Sequence, residues 1–277
     1  VGGLRKEINN NIQIARDLAE EVYKGVELRG VLKQLDEVVE LGGPQARPSV
    51  RGGSHRLYDP FASLPKRIRH VLVPSLVGYD LSSCFVCIFS AMFMTTKWDG
   101  QTVSAIVQDL GEEGKRGVAK KMISALICGQ RDDQFMYHAR KLGEAEFALK
   151  LRKHPLVREL VAARDRVYDQ IRDFGAVMAN DGAVLRVSRS SLWSDDRYEK
   201  EIRTRMSWFL DSIEDKFVRA MLRAVKRCAD EDDIGVRPVA DLHDGILVKF
   251  RDLRMTGKIA KVTRAIEEAV LALGQEL

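Results

Sequence analysis

Residues 237–250 read RPVADLHDGILVKF, and this stretch carries the clearest structural signal in the 277-residue chain. Two largely apolar runs, Arg237 to Leu242 and Ile246 to Phe250, flank the dipeptide Asp244-Gly245. Asp-Gly between such runs is typical of a tight turn that joins two antiparallel strands. The stretch therefore predicts a β-hairpin with an aspartate at its turn.

Helices surround this hairpin in the predicted order of elements. A long helix is predicted over residues 198–229, before the hairpin, and a closing helix over 257–273. The upstream predictions are two helices within 4–41, extended chain at Val71–Val73 and a buried strand from Leu76 to Phe89, helices over 101–128 and 133–179 with an interruption at Pro155, and a hairpin around Asn180-Asp181-Gly182. Because the strands do not alternate with helices as βαβ units, this order predicts a helix-rich α+β fold with a small antiparallel sheet.

The composition permits a nucleic-acid partner without requiring one. Lys and Arg number 45 against 40 Asp and Glu, and the sequence pI is about 9.0. Charged residues of both signs are interleaved and make up 31% of the chain, which argues against disorder. No signal peptide opens the sequence, and no apolar run reaches the roughly 18 residues of a membrane span. We therefore expect a cytoplasmic protein with no membrane partner.

The four cysteines show no regular spacing of a disulfide framework. Cys84 and Cys87 form a C-x-x-C, which could bind zinc or carry redox chemistry. The pair lies in an apolar run, however, and no second Cys or His pair stands at zinc spacing. A role as core residues is therefore favoured, and reduced thiols fit the cytosol.

Two further segments place polar groups where they need an explanation. Asp80 follows an apolar run and precedes Ser82 and Ser83, so it is either a turn or helix-cap residue or a carboxylate that meets a cation. Arg116 and Lys120 stand four residues apart on one face of a predicted helix. Two like charges repel there unless an anion lies against them. That face is either an ordinary solvated surface or a site for a triphosphate.

Taken in order, these segments resemble the superfamily that joins family A DNA polymerases to phage-type single-subunit RNA polymerases. That superfamily has a strand aspartate followed by Ser, a helix with R-x-x-x-K that ends in an aromatic residue and Gly, and an H-D strand turn. The matching residues here are Asp80 with Ser82, Arg116 and Lys120 with Gly129, and His243-Asp244. The resemblance spans about residues 54 to 273.

The resemblance implies a catalytic palm with helical fingers. The implied division is a first palm part at 54–100, fingers at 101–179, a second palm part at 180–277, and a helical segment at 1–53 that could be a reduced thumb. It further implies a nucleotidyltransferase whose partners are a nucleic-acid template, a primer or product strand, and nucleoside triphosphates. The phage branch of the superfamily adds the alternative of a phage-encoded protein that acts in the host cytoplasm.

The resemblance also implies roles for single residues. Asp80 and Asp244 would hold two Mg²⁺ ions about 3.5–4 Å apart, because this metal prefers carboxylate and phosphate oxygens. Arg116 and Lys120 would bind the triphosphate, and Lys120 could also protonate the leaving pyrophosphate. The residues implied in contacts with primer and template are Arg56, Tyr58 and His243.

Two nucleotide-binding positions depart from the pattern of that superfamily. Phe85 stands five residues after Asp80, where the DNA enzymes typically have Glu and the RNA enzymes a small residue. Its ring would crowd a 2′-hydroxyl, which slightly favours DNA synthesis over the activity of a phage-type RNA polymerase. Cys128, directly before Gly129, stands where both branches usually have Tyr, so the usual hydroxyl contact is missing.

Two other classes of function remain open from the sequence. One is a catalytically degenerate nucleic-acid-binding module that keeps the fold, to which Phe85 and Cys128 point. The other is a helical interaction protein in which Asp80 and Asp244 are only turn residues. Carboxyl groups more than about 10 Å apart would favour the last alternative, because a shared pair of metal ions needs them close.

Overall fold

The computed structural model describes residues 2–44, 47–48, 57–81, 84–130, 132–231, 234–241, 245–254 and 256–275. Within these residues the helices are α1 Gly2–Val22, α2 Gly25–Leu41, α3 Pro60–Ser63, α4 Lys66–Leu72, α5 Cys84–Phe93, α6 Thr102–Asp109, α7 Arg116–Ile127, α8 Asp132–Lys141, α9 Ala145–Lys153, α10 Pro155–Phe174, α11 Asp195–Glu231 and α12 Thr256–Gly274, with a 3₁₀ turn at Glu113–Lys115. The strands are β1 Arg47–Pro48, β2 Leu57–Tyr58, β3 Leu76–Asp80, β4 Ala176–Met178, β5 Val184–Arg186, β6 Val236–Asp241 and β7 Gly245–Phe250. The predicted helix-rich α+β fold with a small antiparallel sheet is confirmed.

The chain forms two compact units. The first, called here the sheet unit, combines Val1–Asp80 with Asp215–Gln275, and the second, the helical unit, is Leu81–Glu214. The sheet unit is therefore built from both ends of the chain, whereas the helical unit is a continuous segment. These boundaries come from contacts alone, so the division into palm and fingers stays a prediction.

A three-stranded antiparallel sheet organises the sheet unit, with β7 in the centre between β3 and β6. Along β3, the register pairs Leu76 with Lys249 and Asp80 with Gly245. Pro238 lies on the edge strand β6, where the missing N–H is tolerated. The two strands predicted from residues 237–250 are thus confirmed, while the residues 242–244 that connect them lie outside the described part of the chain.

The N-terminal helices share a hydrophobic core with one face of this sheet. Leu76 of β3 and Leu247 of β7 belong to a buried cluster that also contains Ile8 of α1 and Leu35 of α2. An ion pair between Lys249 and Glu7 also joins β7 to α1. Helices α1 and α2 are consequently part of the unit that holds the sheet.

The other face of the sheet is turned towards α11 and α12. Successive residues of a strand point to opposite faces, so Tyr79 lies opposite to Leu76 and Asp80. The Tyr79 hydroxyl is 3.2 Å from the Thr263 hydroxyl of α12. Burial raises the pKa of Tyr79, and Cys228 of α11 adds to that increase.

Helices α5 to α10 and a short hairpin form most of the helical unit. Strands β4 and β5 pair, and the turn between them contains Gly182 at φ +82°, as the Asn180-Asp181-Gly182 signal predicts. Asn180 ties this turn to α5, because its backbone N–H donates to the Met92 carbonyl at 2.8 Å. Its side-chain amide donates to the Ala91 carbonyl, also at 2.8 Å.

The prediction of a strand from Leu76 to Phe89 is wrong in its second half. Strand β3 ends at Asp80, and Cys84–Phe93 is the helix α5. Nearly every side of α5 is covered, with Val86, Phe89 and Met92 fully buried. A helix that is buried on all sides is apolar on all sides, so its sequence has no 3.6-residue pattern to separate it from a buried strand.

The other boundaries agree with the sequence signals only in part. The chain leaves α2 at Gly42, as predicted, in the left-handed conformation with φ +70°. Val71 and Leu72, predicted to be extended, end α4 instead, and the span predicted at 101–128 holds two helices. Pro155 begins α10, so the span predicted at 133–179 contains three helices and, from Ala176 to Met178, the strand β4. Across the described ranges, helices that are long enough to cross a membrane are not apolar enough to do so.

Candidate functional site

Asp80 is the last residue of β3, and its side chain is exposed. Its partner in the antiparallel register is Gly245, the first residue of β7. Asp244 directly precedes this partner in the chain, although Asp244 and His243 lie outside the described residues. The strand that ends in Asp80 and the strand that begins directly after Asp244 are therefore adjacent and antiparallel, and Asp80 is paired with the residue next to Asp244 in the sequence.

Gly245 is the residue that allows the two strand ends to approach this closely. A Cβ atom at position 245 would meet the Tyr79 carbonyl oxygen and would lie 2.7 Å from Asp80 Oδ1 and 2.9 Å from Asp80 Cα. Real Cβ contacts are essentially never that short, and the obstacle is mostly backbone. A glycine after Asp244 is consequently required by the contact with β3, in addition to being a common turn residue.

Arg69 is a cation close enough to Asp80 for the two charges to interact. Burial lowers the pKa of the half-buried Arg69 guanidinium, and the negative charge of Asp80 acts in the opposite direction. The guanidinium is also held by the Ala62 carbonyl, to which Nη1 donates at 2.6 Å. The predicted site did not include Arg69. In the sequence, Arg69 is a basic residue between the apolar positions Ile68 and Leu72, which are the buried positions of α4. This helix comes just before the strand that ends in Asp80.

Among the predicted primer-template residues, only Tyr58 has a described backbone position. Tyr58 lies on β2, where it pairs with Arg47 of β1. Asp59 follows and caps α3, because its carboxylate accepts from the Phe61 N–H at 2.8 Å. The Tyr58 side chain, Arg56 and His243 fall outside the described part of the chain.

Arg116 begins α7 in the helical unit, and neighbouring groups direct its half-buried side chain. Its Nε donates to the Ser104 hydroxyl of α6 at 2.8 Å, and Nη2 donates to the Gly100 carbonyl at 3.4 Å. A guanidinium carries five N–H donors in a planar fork, so two such bonds restrict its orientation. The arginine of the R-x-x-x-K motif is therefore held in a defined direction.

Lys120 lies one turn further along α7 and faces α5. Burial raises the pKa of the Cys87 thiol on α5 to about 11, Asp99 adds to the increase, and the Lys120 ammonium opposes it. Cys87 is therefore protonated at neutral pH. Of the two residues of the C-x-x-C, Cys84 is buried, whereas Cys87 is half-buried. All four cysteines belong to the described residues and are thiols rather than disulfides.

Phe85 lies on α5, half-buried, and not on the strand where the sequence prediction placed it. Phe85 and Cys87 are thus two residues apart on a helix and point in different directions. The structure packs α5 against α7 within the helical unit, and the charge of Lys120 acts on the Cys87 thiol.

Cys128 and Gly129 form the C-terminal cap of α7. Gly129 has φ +75°, and a Cβ there would lie 2.7 Å from the Tyr168 ring and 2.8 Å from the Arg203 side chain. The last carbonyls of α7 accept hydrogen bonds from α10, Leu126 from Arg164 at 3.0 Å and Ile127 from the Tyr168 hydroxyl at 3.2 Å. Such bonds satisfy the carbonyls that a helix leaves without partners at its end, and a cation there is stabilised by the helix dipole.

Tyr168 was not predicted from the sequence and lies beside Cys128. Burial raises the pKa of the Tyr168 phenol well above its usual value, and Cys128 adds to the increase. A tyrosine ring from α10 thus lies next to position 128, where the resemblance implies a tyrosine and this chain has Cys128. Because the ring belongs to α10 and is 4% exposed, it supports the end of α7 rather than presenting a hydroxyl to solvent.

The predicted site residues fall into two groups in the described part of the chain. Asp80 and Tyr58 belong to the sheet unit, as do Gly245 and Arg69, which were not predicted. The predicted residues of α5, α7 and the cap of α7 belong to the helical unit. No cluster of three or more Asp, Glu, His or Cys residues suitable for a metal ion is found among the described residues, which do not include Asp244.

Comparison with known proteins yields a structural match only. No protein-family model matches the chain, and no curated protein does. Among solved structures, the chain is similar to the POL domain of Pol1 from M. smegmatis in complex with DNA primer-template and dNTP, with a TM-score of 0.60 and 15% sequence identity. The match covers 88% of this chain and 47% of that one, so the chain spans about half the length of that structure. The fold is therefore similar to the fold of a DNA polymerase domain.

Proposed function

We propose that the chain is the catalytic part of a template-directed nucleic-acid polymerase that transfers nucleotides to the 3′ end of a growing strand. The observation that carries this proposal is the pairing of Asp80 with Gly245, the residue directly after Asp244. It is supported by the similarity of the fold to a DNA polymerase domain.

The donor set at the strand ends fits Mg²⁺. Asp80 offers an exposed carboxylate, and Gly245 leaves no side chain between the two strand ends. Carboxylate oxygens are the ligands that Mg²⁺ prefers, and the metal keeps waters that substrate phosphates can replace. Asp80 and Asp244 would hold two ions, which when bound lower the pKa of the primer 3′-hydroxyl and neutralise the leaving pyrophosphate.

Arg69 would keep the Asp80 carboxylate in place while metal and substrate exchange. Its charge interacts with the charge of Asp80, and its hydrogen bond to the Ala62 carbonyl restricts its position. A fixed positive charge near a carboxylate favours the orientations that bring the carboxylate oxygens towards it. Arg69 is thus proposed as a positioning residue.

Arg116 and Lys120 would bind the triphosphate, and Lys120 would also donate a proton to the leaving pyrophosphate. The bonds of Arg116 to Ser104 and Gly100 orient its guanidinium, as recognition of a phosphate requires. Gly129 would allow the end of α7 to stay close to Tyr168 and Arg203. The primer and template would contact Arg56, Tyr58 and His243.

DNA is the proposed product, with RNA synthesis of the phage type as the alternative. Phe85, half-buried on α5, would crowd a ribose 2′-hydroxyl. Cys128 lacks the hydroxyl contact expected at its position. Phe85 and Cys128 would also both be expected in a degenerate module that binds nucleic acid without catalysis. An assay of nucleotide incorporation separates these possibilities.

The test is primer extension by the unmodified chain and by Asp80→Asn and Asp244→Asn. Each replacement keeps the size of the side chain and removes a metal-binding charge. We expect incorporation to be abolished in both while the melting temperature stays unchanged.

Asp252→Asn is the matched control, because Asp252 follows the same strand β7 but pairs with the exposed Arg254. This variant should extend the primer as the unmodified chain does. Activity of Asp244→Asn within a few-fold of the unmodified chain would show that Asp244 is only a turn residue.

A further inference from the structure

A cavity of about 620 Å³ lies between the C-terminal half of α11 and the first half of α12. Three basic residues line it, Arg227 from α11 and Lys261 and Arg264 from α12. Its volume falls within the range of about 300–1,000 Å³ that small-molecule sites occupy. None of the residues singled out in the sequence lies here.

The charges around this cavity are arranged for an anion. Arg227 and Arg264 are exposed, and neither forms an ion pair with any side chain in the described ranges. Arg227 and Arg264 reach the cavity from two different helices, so their like charges repel each other across the same space. The N–H groups in the first turn of α12, next to Gly257, add partial positive charge to the same end of the cavity. An anion of two or more charges would relieve this repulsion.

The cavity is separate from the strand ends at Asp80 and Gly245. Tyr79 points towards α11 and α12 through Thr263 and Cys228, and Cys228 lines the cavity. Asp80 lies on the opposite face of the sheet, because successive strand residues alternate. A ligand in this cavity would therefore lie behind the sheet, away from Asp80.

The remaining lining residues indicate which organic group would be attached to the anion. Gly257, Ala260 and Ala265 leave a smooth surface without long side chains, which a flat ring can cover. Glu268 lies in the same cavity and accepts hydrogen bonds only, so it suits an amino or hydroxyl group of the ligand. We propose that this cavity, the α11–α12 cleft, binds a nucleotide, with its phosphates at Arg227, Lys261 and Arg264 and its nucleoside at the small residues and Glu268.

The test is calorimetric titration of the full chain with ATP in the absence of divalent metal. Arg227→Gln and Arg264→Gln together should weaken binding by about tenfold or more, because charge-assisted hydrogen bonds to phosphate are lost. Both residues are exposed, so the melting temperature should not change. Arg223→Gln is the control, because Arg223 is an exposed arginine of the same helix that does not line the cavity.

Lys120→Ala distinguishes the cleft from the proposed nucleotide site on α7, since binding in the cleft should persist in that variant. Equal binding by the unmodified chain and the double variant would overturn the proposal. Equal weakening in Arg223→Gln would do the same, because it would show an unspecific effect of charge.

Pyrophosphate and oligothymidylate test the chemistry of the ligand. ATP should bind more tightly than pyrophosphate, and Glu268→Ala should remove that difference. A difference that persists in Glu268→Ala would overturn the assignment of the nucleoside. Oligothymidylate that binds more tightly than ATP, and more tightly as its length increases, would show that the cleft binds a nucleic-acid strand. That result would also overturn the proposal that the cleft binds a nucleotide.

Discussion

At the scale of single residues, Gly245 controls the distance between the two strand ends. In Gly245→Ala, the new Cβ would meet the Tyr79 carbonyl and the Asp80 carboxylate, so β3 or the Asp80 side chain has to move. We expect the free energy of unfolding to fall by about 1–3 kcal/mol. Nucleotide incorporation should fall by about a hundredfold, because a displacement of about 1 Å at a reacting centre has that effect. Urea unfolding and primer extension measure the two quantities.

Gly30→Ala is the control for this prediction. Gly30 lies inside α2 with nothing within 4 Å of a new Cβ, so alanine should stabilise the helix by about 0.5–1 kcal/mol and leave incorporation unchanged. Full activity of Gly245→Ala would mean that the close approach of β3 and β7 has no role in the chemistry.

The sequence points to Asp80 and Asp244 because acids at the ends of apolar runs are costly unless they have a function or a partner. It does not point to Arg69 with the same force. Residues 66–70 include four basic residues, and only the fold shows that Arg69 is the one whose charge interacts with Asp80. An interaction between two separate elements leaves no periodic pattern in the sequence.

At the scale of elements, α7 presents the two cations proposed to bind triphosphate. Lys120→Ala should weaken nucleotide binding by about 1.5–3 kcal/mol, the range for hydrogen bonds to charged groups, with little effect on template binding. Arg116→Ala should have a similar effect, and a lower melting temperature as well, because Arg116 also joins α7 to Ser104. Titrations with nucleotide and with template measure these effects separately.

Lys121→Ala provides the comparison on the same helix, since Lys121 is exposed and adjacent to Lys120 but faces elsewhere. It should leave nucleotide binding unchanged. Loss of template binding in Lys120→Ala, with nucleotide binding intact, would show that α7 faces the nucleic-acid backbone.

The outcome for α5 shows where sequence patterns stop being informative. The long helix α11 and the hairpin of β6 and β7 were predictable, because each has a strong pattern of its own or a turn signal. The run from Cys84 to Phe93 has neither, since its surroundings bury it on most sides. Its helical state follows from the packing of the helical unit, which a reading of local sequence does not contain.

Phe85 carries the prediction on sugar selection at this element. If its ring crowds the 2′-hydroxyl, Phe85→Ala should raise ribonucleotide incorporation relative to deoxynucleotide incorporation. Phe93→Ala is the control on the same helix, because the Phe93 ring packs between Phe89 and Phe209 at centroid distances of 5.3 and 6.0 Å. It should lower stability without changing the sugar preference.

Extension with both nucleotide sets, beside a melting curve, separates these effects. A Phe85→Ala variant that loses about 3–5 kcal/mol of stability with an unchanged preference would show that Phe85 is a core residue. Efficient ribonucleotide use by the unmodified chain would favour RNA synthesis.

At the scale of the whole molecule, the order of segments along the chain governs which parts can fold alone. The helical unit, Leu81–Glu214, is continuous and buries its own core residues, among them Phe89, Ile123 and Phe147. The first part of the sheet unit, Val1–Asp80, depends on the other end of the chain, because β3 pairs with β7 and Leu76 shares a core with Leu247.

This organisation predicts different behaviour of two fragments. Residues 81–214 should unfold cooperatively as an isolated fragment, with a melting temperature below that of the full chain because α11 is cut within its length. Residues 1–80 alone should show no cooperative transition, because a strand without its neighbour and half of a core do not offset the conformational entropy of folding. Adding residues 215–275 in trans should restore a transition if the two halves associate, since they supply β6, β7 and the partners of Leu76. Circular dichroism and calorimetry of the separate and mixed fragments test this. A cooperative transition of residues 1–80 by themselves would show that the sheet is not needed for the N-terminal helices, and that the two ends of the chain fold independently.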